Sequence, residues 1–258
     1  MTTVIVHSLY MTRRNLMSLL RQPAWIFISL VQPVVWLLLY GQLFRRIVEI
    51  PGFGAGSYID FLTPGVVVMT ALFSAGWSGM SIMDDIRRGV VDRFLVAPTN
   101  RGSVIWGRLI EFSLTAVVQS VIIIVLGFII GAEFPGGFAG LLVLVVAAIL
   151  LGVGIGALSN AIAILSRREE TMVAASNFVL LPLTFLSSVF MSQALMPDWM
   201  QSLARYNPVN WAVVAGREAL TAGPDWGVVW PRMIALAGFV IVCGWLAVRA
   251  FRVYQRSI

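Results

Sequence analysis

The chain has 258 residues and a mean hydropathy of +0.90; 59% of it is hydrophobic and 12% charged, about half the charged share of an average soluble domain. A soluble fold could not hide that much apolar surface, so the class is an all-α integral membrane protein of one domain. The net charge of +6 comes from 18 basic residues that are all arginine; a P-loop, which needs a lysine, is excluded. The arginines also sit in small groups at the ends of apolar runs, so no nucleic-acid patch exists.

Residues 2–22 predict an amphipathic helix lying in the inner membrane surface. Ile5, Leu9, Leu16 and Leu20 share a face, and His7, Arg14, Ser18 and Arg21 point elsewhere. The polar lead is long, the apolar run after Pro23 continues to Phe44 and no A-x-A site follows it, so no cleaved signal peptide is expected and the first span stays in the protein as an anchor. Six apolar runs follow: about 24–44, 59–83, 102–132, 138–165, 171–191 and 228–248. Each reaches the roughly 20 residues that cross the hydrocarbon. A glycine-rich outer loop, 45–58, separates the first two, a charged segment, 84–101, the next two, and a turn, Phe134-Pro135-Gly136-Gly137, the third and fourth. A short charged loop, 166–170, precedes the fifth. With both termini inside, thirteen arginines lie on the inner side, and five (Arg45, Arg46, Arg205, Arg217 and Arg232) on the outer side. That asymmetry predicts six spans with both ends in the cytoplasm. Residues 192–224 are broken by prolines and carry tryptophans, so short helices that dip back into the outer leaflet are expected there.

No enzyme constellation is present. His7 is the only histidine, so nothing can activate Ser78 in Gly76-Trp77-Ser78-Gly79. No cysteine or histidine cluster can hold zinc, and Cys243, the only cysteine, reads as a small buried hydrophobe. Gly127 with Gly131, and Gly152 with Gly156, are spaced for close helix packing. Glu111 lies one turn from Arg108, which predicts a local pair. This poverty of intramembrane charge argues against an ion-coupled secondary transporter, the rival from another class. The segment from Asp84 to Pro98 is different. Its charges alternate in sign, Gly89 interrupts it, Pro98 ends it, and Val91, Phe94 and Leu95 supply apolar anchors. It reads as a short helix parallel to the membrane.

Three patterns together resemble the ABC type-2 export permease family over nearly the whole chain. Tyr58-Ile59-Asp60-Phe61-Leu62-Thr63-Pro64-Gly65 resembles the family's opening of the second span. Asp84, Asp85, Arg87, Arg88 and Gly89, with Arg93, Phe94, Leu95 and Pro98, resemble its ATPase-coupling segment. The segment departs from the pattern in that Arg87-Arg88, not an acidic residue, immediately precede the glycine. Pro197, Trp199, Asn207, Pro208 and Arg217 resemble its late outer signature. The closest flavour is the daunorubicin-resistance type; polysaccharide- or glycolipid-exporting relatives share the architecture. The resemblance implies a bacterial plasma-membrane exporter of hydrophobic or amphiphilic substrates. It also implies two copies of a separate P-loop ATPase, a second permease (a homodimer), and contact with membrane lipid. No cofactor is expected on this chain; ATP and Mg would sit on the partner. Trp36, Phe73, Trp77, Phe185, Phe190 and Met191 are candidates for the substrate pathway, because aromatic and methionine side chains, not charges, dominate any route.

Overall fold

The computed structural model describes residues 23–51, 53, 56–87, 101–166 and 168–255. The expected N-terminal interfacial helix, 2–22, lies outside them. Among the described residues there are nine α-helices and no strand. They are α1 (Pro23–Leu43), α2 (Tyr58–Gly76), α3 (Ser78–Arg87), α4 (Arg101–Ile130), α5 (Gly137–Ser166), α6 (Glu169–Phe185), α7 (Asp198–Ala204), α8 (Pro208–Ala219) and α9 (Trp226–Gln255). Local chemistry sets several boundaries. Ser57 opens α2 by accepting from the Ile59 N–H, and Asn207 opens α8 in the same way from Val209, with Pro208 in the first helical position. The turn expected at Phe134–Gly137 is present, with Gly137 in the left-handed region at φ 57°.

Four stretches are long and apolar enough to cross a membrane: Tyr58–Ser81, Phe112–Ile130, Gly137–Ser166 and Trp226–Ala250. The first is the apolar stretch that α2 and α3 share. The other two expected spans correspond to α1, of 21 residues, and α6, of 17 residues, or about 26 Å for α6. Two expected runs are interrupted. The second breaks at Trp77 into α2 and α3, and the fifth stops being helical at Phe185 instead of running to 191.

Of the candidate spans, the one holding α2 is the most enclosed, 78% buried, against 17% for α9. The central helix α5 touches α2, α3, α4, α6, α8 and α9. Small residues permit this closeness. A side chain at Gly127 would stand 2.8 Å from Thr63, and Gly152 lies under the Phe112 ring. Gly131, expected to pack with Gly127, instead forms the turn after α4 at φ 104°, a conformation that favours glycine. The outward faces are apolar: Leu39 is 62% exposed, Ile129 73%, Phe178 81% and Ile241 72%. Such faces suit acyl chains, where every backbone polar group must be satisfied within the protein. Cys243 is buried, as expected.

Candidate functional site

The fifth apolar run leaves its helix because its hydroxyls and Pro182 compete with the ladder. Thr184 Oγ donates to the Leu180 carbonyl at 2.8 Å, and Ser187 Oγ to the Thr184 carbonyl at 2.6 Å. Residues 186–191 then continue as turns and bends. Ser187, Ser188 and Val189 are buried, so their backbone groups need partners. Distant side chains supply them. Asn207 Nδ2 donates to the carbonyls of Leu183 (2.7 Å) and Leu186 (2.9 Å). Asn210 Oδ1 accepts from Ser188 N–H (3.1 Å) and Ser188 Oγ (2.7 Å). Arg217 donates to the Val189 carbonyl (3.0 Å), and Tyr58 Oη to the Phe190 carbonyl (3.1 Å). Four side chains from α2, α8 and the entry to α8 thus clamp one irregular strand of backbone.

Arg217 joins this clamp to α2. Its Nε donates to the Phe61 carbonyl at 2.9 Å, and its guanidinium lies over the Phe61 ring, 3.4 Å from the centroid. Among the described residues no carboxylate pairs with it. Carbonyl oxygens and a ring face therefore stand where a counter-ion would. Gly65 makes the approach possible: a Cβ there would stand 2.7 Å from the Val189 carbonyl oxygen and 3.3 Å from the Arg217 guanidinium. Two of the patterns singled out in the sequence, Tyr58–Gly65 and Asn207–Arg217, are therefore one construction in space.

Beside the clamp runs a row of rings. Phe185 meets Phe190 at 6.1 Å between centroids, Phe190 meets Trp36 at 5.0 Å and Tyr40 at 5.5 Å, and Tyr40 meets Phe44 at 5.2 Å. Phe44 meets Tyr58 at 5.9 Å, and Phe53 sits 4.7 Å from Phe61, under Arg217. The structure thus brings together Trp36, Phe185 and Phe190, and Met191 packs on the same core. It does not bring Phe73 or Trp77 to this row. Phe73 is twelve residues beyond Phe61 on α2, about 18 Å along the helix, and Trp77 sits at the α2–α3 break. Sequence reasoning missed Tyr40, Phe44 and Phe53 as members; the four-residue spacing of Trp36, Tyr40 and Phe44 was the available signal.

The other expected residues are scattered. Pro197 precedes α7, and Trp199 is 60% exposed, away from the clamp. Asp84, Asp85 and Arg87 fall on the end of α3. Arg88, Gly89, Arg93, Phe94, Leu95 and Pro98 lie outside the described residues. Among the described residues no group of acidic, histidine or cysteine side chains could hold a metal.

Long apolar helices around a clamped, irregular stretch of backbone define a polytopic helical membrane protein. Residues 7–221 match the ABC-2 type transporter family, and the chain belongs to that family. It is 31% identical, over 93% of its length and 83% of the relative's, to the daunorubicin resistance ABC transporter permease protein DrrB1 of Streptomyces coeruleorubidus. It is 28% identical to a protein named as transport permease ycf38 from Cyanophora paradoxa, over 79% of this chain and 70% of the relative. It is 26% identical to the inner membrane transport permease YadH of Escherichia coli K12, over 83% of this chain and 85% of the relative. The chain is accordingly a membrane transport subunit, and the ATPase is a separate protein.

Proposed function

We propose that this chain is the permease of an ATP-driven exporter that moves a hydrophobic or amphiphilic substrate, such as a drug, antibiotic or lipid, from the cytoplasm or inner leaflet outward. The observation that carries the reading is the similarity, over 93% of the chain, to a permease named for daunorubicin resistance. The row of rings from Phe185 to Phe61 supports it, since aromatic faces suit an amphiphile better than charges would. The working assembly has two permease copies and two ATPase subunits, with Mg and ATP on the latter, in a bacterial plasma membrane. Each permease crosses six times with both termini in the cytoplasm. Residues 2–22 lie on the inner surface, and α7 and α8 dip in from outside.

Residues 84–98 dock on the ATPase in this reading. Phe94→Ala removes an apolar anchor worth about 2 kcal/mol if it fills a pocket. Reversing Arg87 and Arg88 to Glu places unpaired charge at the contact. Both variants are expected to insert normally and to lose ATPase co-purification and substrate-stimulated ATP turnover. Arg45 and Arg46 reversed to Glu is the outer-side control and keeps both. Parental assembly and transport by the Phe94 and Arg87/Arg88 variants would overturn the docking role.

A further inference from the structure

The break between α2 and α3 is built from side chains that no step above uses. In a continuous helix the Gly79 N–H would bond the Ala75 carbonyl, and the Met80 N–H would bond the Gly76 carbonyl. Here the Gly79 N–H donates to Ser159 Oγ at 3.0 Å. Ser159 Oγ in turn donates to the Gly76 carbonyl at 2.6 Å, and Ser176 Oγ donates to the same oxygen at 3.2 Å. The Met80 N–H turns back to the Trp77 carbonyl at 3.1 Å. One hydroxyl from α5 is thus wedged into the helix, bonded on both sides of the gap, and a second from α6 reinforces it. Both serines are buried, 4% and 3% exposed.

We propose that this break is a latched hinge that sets the angle between the second span and the helix leading into the ATPase-docking segment. The proposal rests on the permease reading above. The straight and bent forms both leave the polar groups bonded. If Ser159 and Ser176 withdraw, Gly76 and Gly79 recover their ladder partners, and the serine hydroxyls can bond carbonyls one turn back in their own helices. Such a pair of arrangements is what a two-position element requires. The surroundings permit the exchange. A small cavity of about 20 Å³, lined by Gly76, Ile155, Ser159, Ile162, Ser176 and Leu180, has room for one water during the change. Met80, Met83 and Met172 pack α3 against its neighbours, and methionine chains repack easily. Gly79 keeps α3 on the backbone of α5: a Cβ there would stand 2.6 Å from the Ser159 carbonyl oxygen.

The test places spin labels on cysteines at Ser81 and Leu246, with Cys243 replaced by Ala, in the complex with its ATPase in lipid nanodiscs. Distances are measured without nucleotide and with ATP trapped by a hydrolysis-deficient ATPase. The parent is expected to show two distance populations whose ratio changes with ATP. Ser159→Ala should move the nucleotide-free ratio toward the straight form by roughly three- to ten-fold, and Ser176→Ala by less. Ser159→Thr, which keeps the hydroxyl, should restore the ratio. In the Ala variants ATP turnover should continue while substrate moved per ATP falls. One distance in all states, unchanged in Ser176→Ala and in the Ser159/Ser176 double Ala variant, would make the break a static kink and overturn the hinge. If the parent binds no ATPase, the permease reading fails instead, and the same comparison of Ser159→Ala with parent on the chain alone still decides the latch.

Discussion

Arg217 donates to two carbonyls, that of Phe61 within α2 and that of Val189 in the irregular stretch. Replacing it with Met keeps the length and removes the donors, leaving the buried Val189 carbonyl without this partner at a cost of about 1–3 kcal/mol, while the Phe61 carbonyl keeps its helical bond. Arg217→Met is expected to lower the midpoint of thermal unfolding in detergent markedly. Arg217→Lys should recover only part of the loss, because an ammonium cannot present two diverging N–H groups and stack flat on Phe61. A midpoint equal to the parent's for Arg217→Met would show that the Val189 carbonyl has another partner. At this scale the sequence was informative about which residues stand out and silent about why. Arg217, Asn207 and Tyr58 were visible as members of short patterns. Their common target, the backbone of 183–190, lies up to 132 residues away from Tyr58, and no local periodicity carries such a pairing.

Helix ends show the same division. Pro197 and Pro208 announced α7 and α8, and Gly136-Gly137 announced the turn before α5, because proline and glycine act on their own backbone. The interruptions at Trp77 and Phe185 were invisible, since the apolar runs continue through both and hydropathy cannot distinguish helix from irregular backbone held by distant side chains. The side chains that hold the broken backbone are Ser159 and Ser176 at the first and Asn207 and Asn210 at the second. The Gly-Gly turn also docks an element. The Gly136 N–H donates to the Leu220 carbonyl at 2.8 Å, and Gly140 lies directly against the Ala219 carbonyl at the end of α8. That neighbour is backbone and cannot swing aside. Gly140→Ala is therefore expected to destabilise the fold by about 1–3 kcal/mol, read as a lower melting midpoint. Gly223→Ala, where a Cβ meets nothing within 4 Å, should leave it unchanged. Equal midpoints for the two would show that α8 shifts freely.

Across the whole molecule, the connections sort to two ends. Tyr58, Glu133, Gly136, Phe190 and Leu220 are tied together at one end: Asp60 accepts from the Glu133 N–H at 2.8 Å, and Tyr58 reaches Phe190. Arg87, Arg101 and Arg168 lie at the opposite ends of their helices. The arginine-poor end is thus the end that carries the clamp and the ring row, and the arginine-rich end leads to the segment 84–98. Arg232, on α9, bonds its own helix at the Val228 carbonyl, 2.7 Å. In the orientation proposed above, which the positive-inside preference favours, the clamp would face outward and both termini the cytoplasm. Single cysteines at Ser8, Ser202 and Ser257, with Cys243 replaced, report this directly in intact cells through an impermeant thiol reagent. Ser202 is exposed on α7, its hydroxyl bonded only within its own helix, so a cysteine there is reachable without disturbing the clamp. Labelling is expected at position 202 alone, and at 8 and 257 only after the membrane is opened. Labelling of position 8 or 257 in sealed cells would reverse the orientation or change the number of crossings, and with it the side on which an ATPase could dock.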